Sequence, residues 1–230
     1  LHLDHVPAID EDGQNVDYLP VFKQAILSGY HSVMFDGSRL PLEENIKATR
    51  QVVELVHPEG MACEAELGAV LGHEAGPLPP YDELFASGKG FTRVDEADRF
   101  VRETGCDWLS VACGSIHGAI SGASKDKKKP AAKLDLEHLE VLREATGIPL
   151  VLHGGSGVIQ EYVLEAFKRG IAKINIATEI RQPYERVLKE TGQVKKAQAA
   201  VYERTSYLLS EYYRLAHIRA TVTSKSDDHD

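Results

Sequence analysis

PLVLHGGSG, residues 149–157, is the stretch whose reading decides the fold. Residues 149–152 form a short, fully apolar run of the kind that sits inside a parallel sheet. The run ends abruptly in His153, Gly154, Gly155 and Ser156, and a helix-like stretch begins near Ile159. A histidine at the carboxyl end of a buried strand, followed by glycines that let a ligand approach the backbone, suits a bound metal and a phosphate. A βα turn with a merely packed histidine would read the same way from this segment alone. Comparable strand ends at Asp4 and His5, at Glu66 and at His117 favour the first reading.

Five more apolar runs lie outward from this one, at 1–4, 32–35, 61–66, 108–112 and 172–176. Segments of helical periodicity separate them. Val16, Leu19, Phe22, Ile26 and Leu27 share one face of the first, which closes at Ser28 and Gly29. Leu42, Ile46, Val53 and Val56 mark the second, after Pro41 near its first turn. A third covers about 95–104 and stops at Gly105. A fourth starts at Asp135, a good N-cap, turns Leu139 and Leu142 inward and stops at Gly147, and a fifth spans about 160–169 before Gly170. Such alternation places the chain in the α/β class, with a mostly parallel sheet covered by helices. Its regular cadence favours a TIM (β/α)8-type barrel over an open sheet, with six βα units evident in residues 1–193.

Two loops break the cadence. Residues 69–93 are rich in Gly and Pro, as in a lid or binding segment. Residues 121–133 carry KDKKK at 125–129, which reads as a solvated surface loop or as a device for capturing an anion. After Arg181 the character changes. Residues 194–220 read as one long helical extension, with Ala197, Val201, Leu208, Tyr212 and Leu215 on roughly one side. It would pack on its own barrel or on a partner subunit. Residues 221–230 read as a polar, disordered tail.

The chain has 230 residues, enough for one sizeable core. Its formal net charge of -9 argues against a general polyanion-binding surface, so no nucleic-acid partner is expected, although a local basic pocket is compatible with it. No apolar run approaches the roughly 20 residues that span a bilayer, and no secretory signal is visible, so no membrane partner is expected. Three cysteines without CxxC spacing suit a reducing cytoplasm.

Side chains that converge in a parallel barrel come from the carboxyl ends of its strands. Those positions hold Asp4 and His5, Asp36, Glu64 and Glu66, His117, His153, then Asn175 with Thr178. Three imidazoles with carboxylates match a divalent transition metal such as zinc, and three histidines leave positions open for substrate. His31, His57, His138, His217 and His229 fall outside this pattern, and His2 reads as a partner behind the ligands. The loops after the last two strands, at 154–156 and 175–178, lie where barrels often bind phosphate.

LHLDH at 1–5, SVMFDGSRLPLEENI at 32–46, CEAELG at 63–68, GSIHGA at 114–119, PLVLHGGSG at 149–157 and AKINIATEI at 172–180 resemble the class II, metal-dependent ketose-bisphosphate aldolases. The resemblance runs in order from residue 1 to about 181. It implies a zinc-dependent TIM barrel that reversibly cleaves fructose or tagatose 1,6-bisphosphate to dihydroxyacetone phosphate and glyceraldehyde 3-phosphate. It further implies His5, His117 and His153 as zinc ligands, Glu66 as a ligand when the metal sits in a buried position, and Asp36 as a carboxylate at the metal site. Asp4 would be the acid/base acting at the C4 hydroxyl. Glu74 would be a mobile glutamate that moves the proton of dihydroxyacetone phosphate. Gly118, Gly154 and Ser156, with Asn175 and Thr178, would hold the triose phosphate, and Asn175 counts also among the catalytic positions. Cobalt or iron(II) could replace zinc, and sodium or potassium would accompany the phosphate. The expected assembly is a homo-oligomer, a dimer or tetramer.

Zinc chemistry agrees with elementary electrostatics, because cleavage beside a ketone leaves negative charge that a Lewis acid stabilises. Among these motifs only Lys173 comes near a strand end, at the start of a run, which disfavours a Schiff-base lysine. The family's barrel has eight strands and these motifs correspond to the third through eighth, so the first two units are expected to be missing. Ser121 stands where relatives often carry lysine. Ala177 within ATE leans toward tagatose-type relatives. Two other readings stay open: an aldolase for another phosphorylated keto-sugar, such as a deoxygluconate phosphate, and a non-catalytic metal-binding subunit.

Overall fold

The computed structural model describes residues 1–68, 80–115 and 131–218. Among them, six strands form one parallel sheet in chain order: β1 (His2–Pro7), β2 (Ser32–Asp36), β3 (Ala62–Leu67), β4 (Trp108–Val111), β5 (Leu150–Leu152) and β6 (Ile171–Ile174). The helices are α1 (Tyr18–Leu27), α2 (Leu42–Val56), α3 (Tyr81–Ser87), α4 (Val94–Thr104), α5 (Leu136–Thr146), α6 (Gln160–Lys168), α7 (Thr178–Thr191) and α8 (Val194–Tyr207). A π-helical turn, Leu208–Tyr212, follows α8.

The sheet is strongly curled. Five steps between neighbouring strands would hold the edges of a flat sheet about 24 Å apart. Instead, Lys173 Nζ on β6 lies 3.4 Å from Asp4 Oδ1 on β1, and Asn175 Nδ2 lies 2.9 Å from Asp4 Oδ2. The side chains of the first and last strands therefore meet across a concave interior, giving a half-barrel with an α/β, TIM-like arrangement.

Period-two alternation splits each strand between two environments. Val33, Phe35, Cys63, Ala65, Leu67, Leu109, Val111, Leu150 and Leu152 face outward and join the main apolar core under the helices. Helix α2 meets that core with Ile46, Thr49, Val53 and Val56, the spacing of one helical face. Phe35 packs against Tyr18 and Phe22 of α1 at ring distances of 4.7 and 6.3 Å. The Asp135 side chain accepts the His138 N–H at 2.9 Å and caps α5, which closes at Gly147 with φ +66°, a conformation other residues resist.

The strand mouths are tied from behind. Buried Asn45 donates to the Glu66 carbonyl at 3.0 Å and accepts from Thr49 at 3.0 Å. It fits only because Gly37 has no Cβ, which would lie 2.1 Å from Asn45 Oδ1. Thr92 Oγ1 donates to the Leu67 carbonyl at 2.5 Å and accepts from Ala112 N–H at 2.8 Å, joining the ends of β3 and β4.

Several sequence expectations need correction. The segment 69–93 is not loop throughout: its described part contains α3, with acidic Asp82 and Glu83 in its first turn. Between β6 and residue 194 lies α7, whose stripe of Ile180, Tyr184, Val187 and Leu188 is only half-buried and which carries Pro183 internally; the sequence reading passed over it. The long helix expected over 194–220 ends at Tyr207 and gives way to the π turn. The segments 116–130 and 219–230, including KDKKK and the polar tail, lie outside the described residues. No helix among the described residues is long and apolar enough to cross a membrane.

Candidate active site

Asp4 and His5 owe their placement to an irregularity in β1. Leu3 pairs with Val33 and Val6 with Phe35, so two residues of β1 oppose the single Met34 of β2. This is a β-bulge, and His5 takes φ +51°, an uncommon conformation for a side chain of its size. Regular pleating would send Asp4 and His5 to opposite faces. The bulge lets both reach the mouth, where His5 Nε2 lies 2.8 Å from His153 Nδ1 and Asp4 meets Asn175.

His153, fully buried just after β5, is the centre of the cluster. Its Nε2 lies 2.9 Å from Glu64 Oε1 and 3.1 Å from Asn175 Nδ2, and its Nδ1 lies 3.9 Å from Glu66 Oε2. A proton on Nε2 directed at Glu64 leaves the Nδ1 lone pair facing the mouth. Burial drives the His153 pKa down despite the opposing Glu64 carboxylate, so the ring is held neutral, the form that ligates metals. His5 moves the other way: burial would lower its pKa, but Asp36, 3.7 Å away, with the charges of Asp4 and Glu64, raises it.

The carboxylates divide by environment. Burial pushes Glu66 well above the usual range, reinforced by the charges of Asp36, Glu64 and Asp4. Its Oε2 is buried and makes no hydrogen bond among the described residues. Burial also acts on Asp36, but His5 and both the hydroxyl and backbone N–H of Ser38 outweigh it and bring Asp36 down to about 2. For Asp4, burial is again overcome, by His2, Lys173, His5 and His153, and its carboxyl is held well below the usual range. Asp4 remains 43% exposed at the side chain, open to a ligand.

Among the described residues, three groupings have donor atoms close enough to share one ion: Asp4 with His5 and His153, His5 with Asp36 and Glu66, and His2 with Asp4 and Glu64. The first two share His5 and contain mixed imidazole and carboxylate donors, as divalent transition metals prefer. The Glu66 oxygen beside them, buried and without a hydrogen bond among the described residues, is the clearest mark of a fit, since an unsatisfied buried carboxyl oxygen is costly. The third grouping already holds a cation of the protein's own, because Lys173 Nζ reaches Glu64 Oε2 at 2.8 Å and Asp4 Oδ1 at 3.4 Å.

Of the expected site residues, Asp4, His5, Asp36, Glu66, His153 and Asn175 come together at this mouth. Gly154 and Ser156 lie in the adjoining loop, where Ser156 Oγ accepts the Glu179 N–H at 3.4 Å. Thr178 begins α7 one loop away. Glu74, His117 and Gly118 lie outside the described residues. Sequence reasoning underrated Lys173, which it set aside as the start of a run, and Glu64. Both follow from strand alternation, because a residue two before Asn175 or Glu66 shares its face.

The sequence pattern described as fructose-bisphosphate aldolase class-II matches residues 1–225. The chain belongs to that family. It is 37% identical over 205 residues to a fructose-bisphosphate aldolase of Streptococcus pneumoniae, covering 89% of this chain and 61% of the relative. It is 40% identical over 184 residues to a 6-phospho-5-dehydro-2-deoxy-D-gluconate aldolase of Halalkalibacterium halodurans, covering 80% of this chain and 55% of that one. Among solved structures, the YdjI aldolase of Escherichia coli K12 superposes with a TM-score of 0.68 at 32% identity, covering 84% of this chain and 65% of the other. This class II chain thus spans about three fifths of the length of the curated relatives it matches.

Proposed function

We propose that the chain belongs to a zinc-dependent class II aldolase that reversibly cleaves a ketose 1,6-bisphosphate, of fructose or tagatose type, to dihydroxyacetone phosphate and glyceraldehyde 3-phosphate. The observation that carries the reading is the pair His5 Nε2 and His153 Nδ1, 2.8 Å apart, beside a buried Glu66 oxygen that makes no hydrogen bond among the described residues. His5, His153 and Glu66 would hold the cation, with Asp36 behind His5 and His117 joining from the sequence motif. Zinc is the expected ion, and cobalt or iron(II) has compatible ligand chemistry. When bound, the cation supplies Lewis-acid stabilisation of negative charge on a carbonyl oxygen.

The chain's own groups supply proton transfer and binding. Asp4, ionised at neutral pH, accepts the proton of the substrate hydroxyl next to the bond that breaks. Asn175 Nδ2 holds both Asp4 oxygens, at 2.9 and 3.1 Å, and fixes the direction of that transfer. Gly154 and Ser156, with Asn175 and Thr178, receive the triose phosphate, with sodium or potassium beside it. Glu74 and Gly118 take the family's proton-shuttle and phosphate roles. The reading has the enzyme working in the cytoplasm as a homo-oligomer.

Cleavage of fructose and tagatose 1,6-bisphosphates should vanish on chelation and return with zinc or cobalt. Asp4→Ala should lower kcat by about a hundredfold or more while bound metal is retained. Activity surviving both treatments would contradict the reading. A deoxygluconate phosphate is the second candidate substrate, favoured by the 40% identity to the Halalkalibacterium halodurans enzyme, and it belongs in the same assay.

A further inference from the structure

The segment after α7 is stitched to the loop after β5 by side chains outside the metal cluster. Arg204 on α8 pairs with Glu179 Oε2 in the first turn of α7. The other oxygen, Glu179 Oε1, accepts the backbone N–H of Gly157 at 3.1 Å. The Tyr212 hydroxyl donates to the Val158 carbonyl at 2.6 Å. Gln160 Nε2 in turn donates to the carbonyls of Glu211 and Tyr212 at 3.1 and 2.7 Å. Residues 157, 158 and 160 are therefore each tied, directly or through Glu179, to α8 or the π turn that follows it.

This arrangement sets a charge problem. Gly157 closes the HGGSG loop, to which the reading above assigns the phosphate and in which the Gly155 N–H already donates to the Asn175 carbonyl at 3.2 Å. The Gly157 N–H itself is taken by the carboxylate of Glu179, partly shielded at 19% side-chain exposure. An unneutralised carboxylate there would repel a phosphate at the same loop, and partial burial strengthens the repulsion. The Arg204 guanidinium, itself 35% exposed, cancels that charge while leaving the Gly157 bond intact.

We propose that Arg204 is a positioning residue for the phosphorylated end of the substrate: acting through Glu179, it holds the Gly157 amide and neutralises the carboxylate behind the loop. The inference rests on the reading above, in which residues 154–156 receive the triose phosphate. It makes α8 part of the apparatus for substrate affinity, although no α8 side chain need touch the substrate.

The test compares the wild-type full chain with R204Q, R204K and the double variant R204Q/E179Q. Dihydroxyacetone phosphate binding is measured by calorimetry, zinc affinity by chelator competition, and KM and kcat for the cleaved bisphosphate by assay. R204Q should weaken dihydroxyacetone phosphate about tenfold and raise KM similarly, with zinc affinity unchanged and kcat falling much less. R204K should fall between R204Q and wild type. The double variant should recover most of the lost affinity, because glutamine still accepts from Gly157 N–H but carries no charge. Wild-type affinity in R204Q overturns the proposal. So does a double variant as weak as R204Q, which would mark a structural role only. If R204Q does not fold, R204K and the double variant decide. A wild-type chain that binds no dihydroxyacetone phosphate instead overturns the aldolase reading, and this inference with it.

Discussion

The two faces of the sheet use the same strands for opposite purposes. On β3, Cys63, Ala65 and Leu67 point into the helices, while Glu64 and Glu66, one residue out of phase, point into the curl. The outer face is held by burial of apolar area and tolerates apolar residues of similar volume. The inner face buries carboxylates and imidazoles, which are costly unless each has a partner. Glu64 bonds His153 and Lys173, whereas Glu66 Oε2 makes no hydrogen bond among the described residues. One face therefore sets stability, and the other stores the imbalance that a cation would relieve.

Substitutions on the two faces should separate these roles. Phe35→Ala, on the outer face against Tyr18 and Phe22, should cost about 3–5 kcal/mol in urea unfolding. Zinc affinity of the fraction that stays folded should not change. Glu64→Gln, on the inner face, should do the reverse. It weakens the carboxylate that orients His153, so zinc affinity should fall about tenfold to a hundredfold in chelator competition, with a smaller change in unfolding free energy. Equal effects of both substitutions on metal affinity would erase the distinction between the faces.

The outer face was the legible one. Apolar runs bounded by Gly, Asp and Pro located all six described strands to within a few residues, because a buried parallel strand has few other ways to be written. The rule that functional groups gather at the carboxyl ends of strands brought Asp4, Asp36, Glu66, His153 and Asn175 to one mouth. Reading only strand ends hid what lies one layer deeper, and Lys173 was the cost. Alternation back from Asn175 would have placed it inside, between Glu64 and Asp4. The bulge at Asp4 and His5 left no such trace, since no glycine marks it and its cause is the pairing of β1 with β2. Helix α7 was passed over although Ile180, Tyr184, Val187 and Leu188 repeat at helical spacing; that stripe is only half-buried, and the helix packs against α8.

Cobalt(II) titration of the chain, followed by its visible absorption, tests most directly whether the inner face is a metal centre. One equivalent should bind and give the intense bands of a low-coordinate site with imidazole ligands, and His153→Ala should abolish them while the fold persists. Bands of undiminished intensity in His153→Ala, or no saturable binding by the wild-type chain, would contradict the account.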